Sequence, residues 1–109
     1  MEITPEVNNL YQKLLGELNK FGEITVEEKK TSFHIKGSGA AFAGVHPRKG
    51  YFILNIVATE PIKSLRIVEQ EQVSAHRFHN RVKIEKAADI DKELLGWLND
   101  AYMLTAMLQ

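Results

Sequence analysis

The chain of 109 residues has no cysteine. That excludes a disulfide framework, a thiolate metal site and a cysteine nucleophile. It also lacks net charge, with 14 Lys+Arg against 14 Asp+Glu. A uniformly basic polyanion binder is therefore excluded. Long apolar runs are missing: the longest, near residues 51–58, is broken by Asn55 and falls far short of the roughly 20 residues of a spanning helix. Repeats and low-complexity tracts are absent, and the acidic N-terminal residues carry no apolar signal segment. The expectation is a soluble cytoplasmic protein without membrane association. Hydrophobic residues make up 44% of the chain, too many for disorder at zero net charge. The length suits one domain with one core.

What is present is a change of period along the chain. Thr4 suits an N-cap and Pro5 the first helical position. Val7, Leu10, Tyr11, Leu14, Leu15, Leu18 and Phe21 then recur by threes and fours. The spacing predicts a helix over 5–21, stopped by Gly22. From there the period is two, with Gly and Pro punctuation. Strands are expected at about 24–28, 31–36, 41–46, 51–57 and 76–84. Residues 65–68 read as a short edge strand or a crossover. A closing helix is expected over 90–106, capped by Asp89, with Ile90, Leu94, Leu98, Ala101, Thr105 and Leu108 on its stripe. The fold class is α+β: one domain, an antiparallel sheet of five or six strands, both helices on one face.

With helices on one face, the strands split by parity. Phe78, Val82 and Ile84 share a side with His76 and Asn80; Arg77, His79, Arg81 and Lys83 share the other. In the second strand Phe33 and Ile35 oppose His34 and Lys36. Tyr51 joins the mixed face of the fourth strand, and small residues fill the third (Ala40, Ala41, Ala43, Gly44), where a ligand could come close. Ten basic and three acidic residues between Lys29 and Lys83 leave +7, against −7 in the flanks. The neutral total thus hides a basic sheet between acidic helices. A solvated face or cross-strand ion pairs would produce the same pattern.

The candidate anion-binding set is Lys30, His34, Lys36, Tyr51, Arg77, His79, Arg81 and Lys83. Arginine suits the set because its fork bonds phosphate or carboxylate at two points. If the second and last strands lie close, Lys30, His34, Arg77, His79 and Arg81 converge. The imidazoles would then gain charge near pH 6.5 and strengthen anion binding on mild acidification. Metal and cofactor sites are not expected, because His76 and His79 are three apart on a strand and point to opposite faces. No nucleophile, carboxylate pair or phosphate loop is recognisable, so no catalytic residue is assigned.

The segments 29–33, 42–49, 77–84 and 89–102 (KKTSF, FAGVHPRK, RFHNRVKI and DIDKELLGWLNDAY) resemble the uncharacterised family named domain of unknown function 5655. The likeness runs from about Leu10 to Tyr102. It implies a small bacterial domain, found alone or appended to nuclease-like proteins, and supplies no catalytic residues. The element order is also similar to frataxin-like and double-wing small α+β domains, although Glu2, Glu6 and Glu17 are too sparse for an iron-binding ridge. The expected function is a non-enzymatic binding domain whose basic sheet face takes nucleic acid or another anionic partner. The alternative is a protein-interaction or homodimerisation module; the third reading is a small-ligand carrier or an enzyme of unknown reaction.

Overall fold

A computed structural model describes residues 2–107. The chain opens with α1 (Pro5–Leu18), where the Thr4 hydroxyl accepts the Val7 N–H at 3.3 Å. Six strands follow: β1 (Thr25–Glu28), β2 (Phe33–Lys36), β3 (Ala41–Pro47), β4 (Phe52–Ala58), β5 (Ile67–Ser74) and β6 (Arg77–Ile84). A short 3-10 helix (Ala87–Asp89) leads into α2 (Lys92–Ala106). All strand pairs are antiparallel, in the order β1-β2-β3-β4-β6-β5. The fold class is as expected, α+β with six strands.

Both helices pack on the same sheet face. Val7, Leu14 and Leu18 of α1 and Leu94 and Leu98 of α2 are fully buried in one cluster with Ile35, Phe42, Leu54, Ile56 and Ile84. Tyr11 stacks on Phe33 with ring centroids 4.4 Å apart. Tyr102 meets Phe42 edge-on at 5.3 Å. The register keeps the apolar set inward: Val45, Leu54, Val82 and Ile67 form one cross-strand row.

The elements differ from the sequence expectation in four ways. First, α1 ends at Leu18 with Asn19 as its cap, and Phe21 and Gly22 belong to the following turn. Second, α2 is capped by Asp91, whose carboxylate accepts the Leu94 N–H at 3.0 Å. Asp89 sits one step earlier and accepts the N–H groups of Glu85 and Lys86. Third, where a short strand or crossover was expected at 65–68, an eight-residue strand, β5, begins at Ile67, with Leu65 and Arg66 in the turn before it. It carries no apolar alternation because it is an outer strand exposed along nearly its whole length. Fourth, His76 lies in the two-residue turn between β5 and β6, exposed, and not on the inward side of β6. Leu108 lies outside the described residues. Among the described residues no helix is long and apolar enough to cross a membrane.

Candidate functional site

The sheet's second face is bare of helices, and its central row runs Glu27, His34, Gly44, Asn55, Arg81, Glu69 across all six strands. One row along, His46, Ile53 and Lys83 are partners. On the other side Val57, His79 and Glu71 are partners. Parity thus carries His34, Arg77, His79 and Arg81 to one face, as the sequence pattern predicts. They line a groove of about 330 Å³ together with His46, Asn55, Val57 and the small residues Ala41, Ala43 and Gly44. No carboxylate is among its lining residues. An adjoining depression shares His46 and Arg81 and adds Arg48 and Glu69.

The other four candidates do not join it. Lys30 lies in the β1–β2 turn at the sheet's edge, three residues before β2 begins. Lys36 lies on the outer face, but its ammonium donates to Glu27 at 3.2 Å. Glu27 also holds Lys29, and the two lysines keep its carboxyl below the ordinary carboxylate range. Lys83 stands over Tyr51, 4.5 Å from the ring centroid, and pairs with Glu85 at 3.4 Å. Tyr51 is thus occupied by a cation of its own sheet.

Arg81 is anchored from the outer strand: its guanidinium donates to Glu69 and to Glu71, the latter at 3.3 Å. The sheet is therefore less basic than its chain segment. Glu27 on one side and Glu69 and Glu71 on the other border the central face, and the +7 to −7 division along the chain becomes an interleaved one in space. Arg77 makes no ion pair among the described residues.

The His79 imidazole departs from the sequence expectation. Burial pushes the His79 pKa down, assisted by Arg77 and Arg81 and opposed by Glu71. Burial likewise lowers His46, helped by Arg48, Arg81 and His34. Both enter neutral at physiological pH and offer one N–H and one lone pair each. Each therefore charges at a lower pH than an ordinary imidazole. Among the described residues no three His, Asp or Glu side chains form a metal-sized cluster.

Gly44, His46 and Asn55 were not in the candidate set. The expected strand 41–46 ended on His46; β3 extends through Pro47, and His46 stands on the outer face two residues from Gly44. Its Nε2 lies 3.6 Å from where a Gly44 Cβ would be, with the Asn55 Cβ at 3.7 Å from the same point. Asn55 read as an interruption of an apolar strand. Its Oδ1 is buried without a hydrogen-bond partner. The parity of β3 and β4 was the signal that could have placed both.

A family model for a domain of unknown function, DUF5655, matches residues 4–105. No curated protein and no solved structure matches the chain, so the likeness to frataxin-like domains finds no support.

Proposed function

The chain belongs to the DUF5655 family, and for this member we propose a non-enzymatic binding domain that takes an anionic group in the groove between β2, β3, β4 and β6. One observation carries this reading: Arg77, Arg81 and three imidazoles border a groove with no carboxylate in its lining. Two arginines supply charge and bidentate geometry, and the imidazoles supply directed N–H donors. A small or terminal anion suits the site better than a long polyanion lying across the strands. Such a chain would have to pass over Glu27 or over Glu69 and Glu71.

Isothermal titration with inorganic phosphate and with single- and double-stranded oligonucleotides tests this. Phosphate binding that weakens tenfold or more in Arg77→Ala combined with Arg81→Ala is the expected result. No binding of any of these anions at low salt overturns the reading. A second reading, self-association, is favoured by Val68 and Val73, 59% and 51% exposed on the outer strand β5. Light scattering that gives a monomer mass across the micromolar range removes it.

A further inference from the structure

Within the anion reading, on which it rests, we propose that the groove above Gly44 is a subsite for a phosphate monoester. It recognises both the charge of the phosphate and the proton the phosphate still carries. Two features of the central row carry this. Gly44 is not required by its backbone, since only Gly22 and Gly50 have positive φ. Nor is it required by crowding, because a Cβ there would meet its neighbours at ordinary contact distances of 3.6 and 3.7 Å. What the missing side chain provides is space on the groove floor between His34 and His46.

The second feature is Asn55. Its Oδ1 is the one buried side-chain polar atom without a partner among the described residues. Leaving such an acceptor unpaired costs about 1–3 kcal/mol. The inward Asn80, by comparison, has both ends of its amide engaged. Asn55 is the direct cross-strand partner of both Gly44 and Arg81. An occupant of this spot must therefore be an anion toward Arg81 and a hydrogen-bond donor toward Asn55.

A protonated phosphate monoester is both. Its second pKa is about 6, so a useful share still carries P–OH at neutral pH. Sulfate and phosphodiesters carry no such proton. The surrounding donors come from three strands: His34 from β2, His46 from β3, Arg81 from β6. That arrangement fits the several oxygens of a tetrahedral group better than a planar carboxylate. Entry requires a lining side chain to rotate and uncover Oδ1. A site built to accept a hydrogen bond from its ligand rejects the analogue that lacks the donor.

The test is titration of the full chain at pH 6.5 with methyl phosphate, dimethyl phosphate and sulfate at matched ionic strength. The expected result is that methyl phosphate binds at least tenfold tighter than the other two, and that Asn55→Leu removes the preference. Gly44→Ala, which the contacts tolerate, should weaken methyl phosphate and keeps the test usable if the Asn55 variant does not fold. Sulfate binding as tightly as methyl phosphate overturns the proposal while leaving the anion reading intact. Absence of binding by all three anions overturns both. A 5′-phosphorylated dinucleotide that binds tighter than methyl phosphate locates the monoester on a nucleic-acid end; equal affinity locates it on a small molecule.

Discussion

Two asparagines on neighbouring positions of the sheet show how single residues divide between fold and site. Asn80 is fully buried. Its Oδ1 accepts the Ile62 N–H at 3.0 Å and the Gln70 Nε2 at 2.8 Å, and its Nδ2 donates to the Ile56 carbonyl at 3.4 Å. It ties the β4–β5 crossover to the sheet. Asn80→Ala should cost about 1–3 kcal/mol in urea unfolding, because the Ile62 N–H is left without a partner, while Gln70 Nε2 keeps the Ile62 carbonyl. Tyr11 gives a second residue-scale expectation. Burial first, and the nearby Glu28 second, raise its pKa from 10.0 to about 12. The folded state thus keeps its proton where the unfolded state has lost it. Stability is retained below pH 10 and falls between pH 10 and 12, by about 2–3 kcal/mol at most. Tyr11→Phe should flatten that part of the stability profile; an unchanged slope would assign the fall to other groups.

At the scale of elements, β5 separates what the sequence displays from what it does not. Strands β2, β4 and β6 have one face in the core, so their residues alternate and their parity was readable. His34, Arg77, His79 and Arg81 were placed on the correct face on that ground alone. β5 pairs only with β6 and is exposed at every position after Ile67, so burial imposes no alternation on it. Its length was invisible, and with it the carboxylates that hold Arg81. The α2 start failed for a different reason. Asp89 and Asp91 are both competent caps, and the choice is made by tertiary contacts. Arg66 donates to Asp91 at 2.9 Å and to the Asp89 carbonyl at 2.7 Å, and lies 5.8 Å from the Trp97 ring. The function of β5 can be measured directly. Glu69→Gln combined with Glu71→Gln should tighten phosphate binding several-fold by freeing the Arg81 guanidinium. The same variant should change stability by less than about 1 kcal/mol, since the pairs are surface ones. Weaker binding would mean that the glutamates position the arginine rather than compete for it.

For the whole molecule, the relevant quantity is how charge is distributed over the folded surface rather than along the chain. Composition excluded a uniformly basic binder and the fold agrees, but the segment tally overstated the sheet's charge. The tally could not know that Glu27 lies on the same face as His34 and Lys36, or that β5 would fold beside β6. A site with two engaged arginines has a modest salt response. Inorganic phosphate carries no condensed counterion atmosphere, so its affinity should drop by about tenfold at most between 50 and 200 mM salt, through screening. A nucleic-acid backbone contacted at six or more phosphates would lose about a thousandfold or more over the same range. Titrations at the two salt concentrations distinguish these outcomes.

The strand order has a consequence for when the groove exists at all. His34, Gly44, His46 and Asn55 come from the β2–β4 meander, while Arg77, His79 and Arg81 come from the β5–β6 hairpin, joined to it by a crossover and docked against β4. Neither half lines the groove alone. A ligand bridging the β4–β6 seam works as a clasp. It should slow hydrogen exchange along β6 more than in β1, by holding the last hairpin against the sheet it closes.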